Sequence, residues 1–521
     1  MQSNEGQPVL ETRFGKVQGE RRDNGIAFKG IPYGADTGGA NRFMPPRDPV
    51  PWRGVHDGTR FGHRAPQSQL PHAPVFNWLT STSPISENCL VLNVYTPATD
   101  HARRPVMVWL HGGAFAFGSS DAPVLDGGKL AHHGDVVVVT VNHRLNVFGY
   151  LAPVLDDSRF ADSGNAGMLD LVAALAWIRD HIADCGGDPS CVTLFGQSGG
   201  GAKVAVLMAM TQAQGLFQRA IIQSPSSGFR VQEPAGAARS ALALLTTLGL
   251  TPQQAGKLQN IPAEDLLAAK ARVVAAEGGN DNFRPLIDGR TLHRHPFYPE
   301  APSACADMPI LIGHTATEAS YYLATIPANH HLTAEQVHAR VRRFMRLDDA
   351  SAAQVVRDYA MNHPDASPAE LLTHIAGDHM YRLTTIEGAE QKAAQGKAPV
   401  FLYRFAWKSP ALEAKLGSPH TAEIPFVFGN TDMAREFVGD DPGVSTLSHQ
   451  MMDAWLRFAR SGSPNGPGLP EWTPFSREHR ATMVFDAPQS SLQIDPAGAD
   501  REIMARYPRF VPGGAINFRE D

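Results

Sequence analysis

The pentapeptide Gly196-Gln197-Ser198-Gly199-Gly200 follows the short apolar run Val192–Phe195 and precedes the helix-compatible run Ala202–Met210. A serine between two such runs sits on a sharp strand-to-helix turn with its hydroxyl exposed. Small residues two places to either side let strand and helix approach closely. A hydroxyl so placed can attack an acyl carbon if three other groups reach it. An imidazole must take its proton, a carboxylate must orient that imidazole, and fixed N–H donors must meet the oxyanion that forms. A source of donors lies upstream in Trp109-Leu110-His111-Gly112-Gly113-Ala114-Phe115, again directly after a strand-like run, Val106–Leu110. Its glycine pair lets successive N–H groups point into one cavity. The chain holds 21 histidines and 52 acidic residues, so residue type alone leaves the base and its carboxylate open.

The elements that must carry these turns are short β-branched runs alternating with helical patterns, which predicts a mostly parallel central sheet with helices on both faces. The strand candidates are Val106–Leu110, Val136–Val141, Val192–Phe195, Ala220–Gln223, Pro309–Ile312 and Val400–Phe405. Leu169–Ile182 has Leu171, Leu175 and Ile178 at helical spacing. Residues 240–276 and 334–389 read as helical insertions above the sheet, and the Pro- and Gly-rich stretch from about 460 onward as an irregular wrap. Strand, G-x-S-x-G and helix in succession form the nucleophile elbow of the α/β-hydrolase fold. The expected architecture is therefore one α/β catalytic unit over residues 1–521, with chain order serine, acid, histidine.

Bulk properties exclude several function classes. Lys and Arg number 46 against 52 Asp and Glu, a net charge of −6, which provides no basic footprint for nucleic acid or an anionic membrane surface. No apolar run approaches the length of a membrane-spanning helix; the longest, Leu171–Ile178, is far too short. No signal peptide is visible at Met1–Gly6, and four cysteines in 521 residues make no disulfide framework, so a cytoplasmic location is expected, with a secreted mature form as the competing reading. The pairs His132-His133, His330-His331 and His293/His295 show no metal-ligand spacing, and neither a metal nor a cofactor is expected. The sequence carries no signature of oligomeric state.

Across nearly its whole length the chain resembles the type-B carboxylesterases, the family of the cholinesterases and bacterial para-nitrobenzyl esterases. The resemblance begins with Phe28-Lys29-Gly30-Ile31-Pro32-Tyr33, Arg42-Phe43-Met44-Pro45-Pro46 and Trp52-Arg53-Gly54-Val55. It continues through Glu87-Asn88-Cys89-Leu90, Val141-Asn142-His143-Arg144-Leu145, Gly186-Gly187-Asp188-Pro189 and Gln223-Ser224, and ends with Trp455–Ala459 and Ser463-Pro464-Asn465. Within it, Ile312–Ala319 resembles the segment carrying the family's acid and implies Glu318 as the orienting carboxylate. His420–Gly429 resembles the segment carrying the catalytic histidine and implies His420 as the base, with Ser198 as nucleophile. The same alignment implies the N–H groups of Gly113, Ala114 and Gly199 as oxyanion donors, and Glu87 with Arg144 as a structural ion pair.

The departures are informative. Gln197 stands where the family usually has glutamate, which removes one negative charge near His420, although Glu423 is close in sequence. Cys89 matches a half of the first-loop disulfide of extracellular members but Ala65-Pro66-Gln67 offers no partner, and Cys185 and Cys191 are expected as free thiols. In the cholinesterases, bulky aromatics upstream of the turn matched by Leu286–Gly289 wall the acyl pocket. Here the matching positions hold Gly279 and Asp281, with Phe283 the one aromatic, implying a roomy acyl site; a surface loop is the competing reading. The resemblance implies hydrolysis of a small-molecule carboxylic ester. The competing functions are a cholinesterase-like binding module without catalysis, and the same residues acting on amides, carbamates or lactones.

Overall fold

The computed structural model describes residues 6–68, 72–152, 157–225, 229, 231–279, 281–510 and 518–519. Asn280 of the Gly278–Pro285 run lies outside the described residues. The centre is an 11-stranded sheet. From one edge its strands are Ser491–Ile494, Ala481–Phe485, Val400–Phe405, Ile310–Thr315, Arg219–Gln223, Gly187–Gln197, Arg104–Leu110, Val137–Val141, Val91–Thr96, Gly25–Pro32 and Glu20–Arg22. Pairing is parallel from Ala481–Phe485 through Val137–Val141 and antiparallel toward both edges. Every residue of Arg104–Leu110 and Val137–Val141 is buried, as expected where helices cover both faces of a parallel sheet. A separate 3-stranded sheet, Val9–Thr12, Gly15–Gln18 and Val55–Asp57, lies outside it.

All six predicted strands form, with ends moved by a few residues. The expectation of an irregular wrap beyond 460 is wrong in one respect. Ala481–Phe485 is a fully buried strand parallel to Val400–Phe405, and Ser491–Ile494 pairs back against it. The five apolar or β-branched residues Ala481-Thr482-Met483-Val484-Phe485 were hidden by the Pro and Gly residues around them. The helical blocks are real: Pro234–Thr247 and Ala263–Ala276 make up the first. Ala334–Met345, Asp349–Asn362, Pro368–Gly377 and Leu383–Ala393 make up the second. The second block has its own apolar core, in which Val337, Val341, Phe344, Leu372, Ile375 and Tyr381 are buried with Phe510 and Phe518.

Register decides where the site forms. Gly196 pairs with Leu110, Gln197 with Gln223, and Gln223 with Gly313. The turns that follow these strands therefore open side by side at the carboxyl end of the sheet, the edge at which open α/β sheets place their ligands. Behind that edge a buried ion pair fastens the loop after Val137–Val141 to the helix Ala166–His181. Arg144 Nη2 donates to Asp170 Oδ1 at 2.6 Å and Nε to Oδ2 at 2.8 Å, and Nη1 donates to Met44 O at 2.7 Å. Glu87 instead holds Arg42, whose Nε donates to Oε1 at 2.7 Å. The expected Glu87–Arg144 pair is thus replaced by two others, because Arg144 turns inward to the helix while Arg42 reaches Glu87 and the carbonyl of Leu258.

With both partners at 1% and 0% exposure, removing one leaves an uncompensated charge in the interior. Asp170→Ala is expected to cost about 3–5 kcal/mol of stability, read as a lower denaturation midpoint, whereas Asp48→Ala at an exposed pair with Arg13 should cost no more than about 1 kcal/mol. Equal losses in the two variants would contradict this account.

Candidate active site

Ser198 stands between the strand Gly187–Gln197 and the helix Gly199–Ala209 with φ 57° and ψ −122°, a conformation sparsely populated by L-residues. Its backbone N–H donates to Gln223 O at 2.8 Å and its carbonyl accepts from Ala202 N at 3.0 Å, so both neighbours over-determine the strained turn. Glycine is required around it. A Cβ on Gly200 would collide with Leu110 O, and one on Gly199 would lie 2.5 Å from Ala114 N. The second clash also shows that the serine turn and the glycine turn are in direct backbone contact.

In the glycine turn Gly113 has φ 83° and Ala114 φ 52°. The alanine holds a left-handed conformation that costs about 1–2 kcal/mol. Gly113 O accepts from Ala116 N and Phe117 N, both at 3.1 Å, and Gly112 O accepts from His111 Nδ1 at 2.9 Å. Among the described residues, the N–H groups of Gly113 and Ala114 donate to no protein acceptor. Those two N–H groups lie in the turn that Gly199 packs against.

Glu318 and His420 are brought together from segments 102 positions apart. His420 Nδ1 lies 2.5 Å from Glu318 Oε2. The other carboxylate oxygen, Oε1, accepts from Ser224 Oγ at 2.6 Å and from Thr315 N at 2.8 Å. The backbone adds His420 N to Glu318 O at 3.2 Å. Both groups are almost wholly buried, so the carboxylate is fixed by three donors in a region from which water is excluded. Gln197 Nε2 lies 3.2 Å from His420 Nε2 and 3.3 Å from Nδ1. Near-equal distances to both nitrogens place the amide over the ring face, not along an in-plane lone pair. The structure thus brings Gln197, Glu318 and His420 into contact; Ser198 Oγ, although on the adjacent turn, makes no hydrogen bond to the ring.

Three tyrosines missed by sequence reasoning hold the imidazole. Tyr381 has its ring centroid 4.3 Å from that of His420, Tyr321 6.0 Å and Tyr322 6.2 Å. Tyr381 belongs to a π-helical turn, Asp378–Arg382, inserted between Pro368–Gly377 and Leu383–Ala393. Such single turns recur at functional sites. Ser224 and Thr315 were likewise unassigned; Ser224 directly follows the strand Arg219–Gln223 and Thr315 ends the strand Ile310–Thr315, both foreseen as strands, which is the signal that could have found them.

Glu423 behaves differently from the sequence expectation that it supplies charge. It is fully buried and accepts from Gln223 Nε2 at 3.2 Å, with Gln223 Oε1 in turn accepting from Trp455 Nε1 at 3.1 Å. Burial, then the nearby charge of Glu318, pushes its carboxyl up to about 8, so it is mostly neutral at pH 7. Together with Gln197, this leaves Glu318 as the carboxylate facing His420.

The acyl-wall expectation finds no support at its own positions. Gly279 is exposed and a Cβ there would meet nothing within 4 Å, Asp281 is ion-paired to Lys270, and Phe283 is buried in the main core. The run thus passes from an exposed turn at Gly279 into the core at Phe283. Cys89, Cys185, Cys191 and Cys305 are all free thiols. Among the described residues, no group of three or more His, Cys, Asp or Glu side chains could hold a metal, and no helix is long and apolar enough to cross a membrane.

Two outcomes follow from these electrostatics. Gln197→Glu places a carboxylate against His420, favours the imidazolium, and should move the acidic limb of the pH–rate profile upward by about 0.5–1 pH unit; an unchanged limb would show the two groups to be uncoupled. Because the folded state holds the Glu423 proton more tightly than the unfolded chain does, its ionisation erodes stability as pH rises from about 4.5 through about 8. Glu423→Gln should therefore raise the thermal midpoint by a few degrees above about pH 8 and change it little near pH 5.

A carboxylesterase family model matches residues 6–502. The para-nitrobenzyl esterase of Bacillus subtilis (strain 168) is 36% identical over 503 residues, covering 95% of this chain and 98% of that protein. The crystal structure of the carboxylesterase EST55 of Geobacillus stearothermophilus matches with a TM-score of 0.81 at 38% identity, covering 95% of this chain and 99% of that one. An esterase from Clostridium hathewayi, which can hydrolyse aliphatic aromatic polyesters, matches with a TM-score of 0.81 at 34% identity over 97% of this chain and 99% of that one. Fold, length and ordered sequence agree, and the chain belongs to the carboxylesterase family, hydrolases of carboxylic esters with the α/β-hydrolase fold.

Proposed function

We propose that Ser198 is the nucleophile of this serine carboxylesterase, His420 its general base and acid, and Glu318 the carboxylate that orients the imidazole. The backbone N–H groups of Gly113, Ala114 and Gly199 form the oxyanion hole. The observation that carries the reading is the hydrogen bond from His420 Nδ1 to a Glu318 that Ser224 and Thr315 hold in place. A proton held at Nδ1 leaves Nε2 as the basic nitrogen, the one directed to the serine in this chemistry.

As Ser198 Oγ bonds to the ester carbonyl carbon, His420 Nε2 takes the hydroxyl proton and the carbonyl oxygen becomes an oxyanion. Collapse breaks the bond to the alcohol oxygen, which leaves with the proton from His420, and an acyl-serine remains. Water repeats the sequence, giving up one proton to His420, and the carboxylic acid departs as Ser198 recovers its proton. Glu318 stabilises the transient imidazolium without accepting its proton. The backbone donors are fixed before reaction, so no dipole has to reorganise as charge develops.

The whole of residues 1–521 is read as one catalytic unit with the two helical blocks as insertions. Small-molecule esters are the partners it requires. A cytoplasmic location is supported by four unpaired cysteines.

Ser198→Ala should lower kcat by at least about 10⁴-fold on a short-chain p-nitrophenyl ester while the protein stays folded. A fluorophosphonate probe should label Ser198 alone. Labelling that survives the substitution, or substantial hydrolysis without the serine, would overturn the assignment.

A further inference from the structure

Lys203 lies within the apolar helix Gly199–Ala209, one turn beyond the serine, and its side chain is completely buried. A lysine is seldom buried without partners. Its partners here are specific: Nζ donates to His111 O and to Ala114 O, both at 2.9 Å. It also lies 5.5 Å above the Phe115 ring. Among the described residues no carboxylate pairs with it.

These two bonds complete a pattern in the glycine turn. The carbonyl of His111 is held by Lys203, that of Gly112 by His111 Nδ1, that of Gly113 by Ala116 and Phe117, and that of Ala114 again by Lys203. Each peptide plane has its oxygen drawn into the protein, so each following N–H must face the other way. Among the described residues the N–H groups of Gly113 and Ala114 donate to no protein acceptor, and Gly199 of the serine turn lies against Ala114. The strained left-handed φ of Ala114 needs such restraint, because nothing in its own side chain favours it.

We propose that Lys203 is the positioning residue of the oxyanion hole, clamping the carbonyls of His111 and Ala114 on either side of the two donor peptides, Gly112–Gly113 and Gly113–Ala114, so that the N–H groups of Gly113 and Ala114 are held toward the reacting oxygen. The inference rests on the reading of those N–H groups as oxyanion donors. The lysine never touches substrate; it acts through two peptide groups. The peptides it holds carry the N–H groups of Gly112 and Phe115, so it fixes the two flanks of the turn, while the carbonyls of the donor peptides themselves are held by His111 Nδ1 and by the Ala116 and Phe117 N–H groups. The groups facing Nζ from the neighbouring elements are His111, His143 and Phe115. The two imidazoles are stacked at 4.8 Å and pushed well below their ordinary range, first by burial and then by the lysine charge, so they remain neutral beside it.

The test separates a clamp from a lysine that merely fills space. Lys203→Met keeps the length and removes the donors. It should lower kcat about 10- to 100-fold with KM within about threefold, since the donors matter only once the oxyanion forms. Affinity for a trifluoromethyl ketone, which forms an anionic adduct on the serine, should fall by the same factor as kcat/KM, and Lys203→Gln, with one donor restored, should fall between. A folded Lys203→Met enzyme with unchanged kcat, or with reduced kcat but undiminished ketone affinity, would overturn the proposal. If neither variant folds, the unmodified enzyme carrying ¹⁵N-labelled lysine decides it. The exchange-protected Nζ signal should shift when the ketone adduct forms and stay still with the corresponding methyl ketone. A signal indifferent to both would overturn it. Loss of activity in Ser198→Ala with Lys203 intact tests the nucleophile separately, so the two assignments fail independently.

Discussion

The serine turn and the glycine turn meet backbone to backbone, with no space for a side chain between them. Gly199 lies against Ala114, and Gly200 against the carbonyl of Leu110. That close approach requires two adjacent parallel strands whose ends are level, which the pairing of Gly196 with Leu110 supplies. It also requires positive φ at Gly113, Ala114 and Ser198, conformations that persist only where the surroundings over-determine them. The central sheet, the buried Arg144–Asp170 pair behind it and the hydrogen bonds tying each carbonyl of the glycine turn are means to that end.

Around this junction the protein keeps charge sparse. Gln197 replaces the family's usual carboxylate, and Glu423 is buried into its neutral form, so Glu318 faces the imidazole alone as an anion. A lone carboxylate in a low-dielectric setting stabilises the imidazolium strongly, yet excess negative charge would hold the base protonated and idle. The three tyrosine rings about His420 serve the same balance by excluding water without adding charge.

The sheet was legible wherever a strand is a continuous β-branched run, as in Val136–Val141, because strands buried on both faces lose polar alternation. Gly25–Pro32 and Ala481–Phe485 escaped for opposite reasons: the first contains two glycines and a lysine, the second is five residues in a Pro-rich stretch. Ser198 and the glycine turn were legible because their chemistry is local. Glu318 and His420 were not, since their partners come from distant strands; only resemblance to a family singled them out. Pairings across space were the weakest reading, as Glu87 with Arg42 and Arg144 with Asp170 show. Lys203 left a signal that was not used, an isolated charge inside an otherwise apolar helix.

The second helical block packs around its own apolar core, yet Tyr381 from its π-helical turn lies against the ring of His420. The His420 imidazole is thus touched from two sides, by the sheet through Gln197 and Glu318 and by the helical block through Tyr381. A change in the packing of the helical block would therefore reach the imidazole through Tyr381 while its bond to Glu318 stays in place.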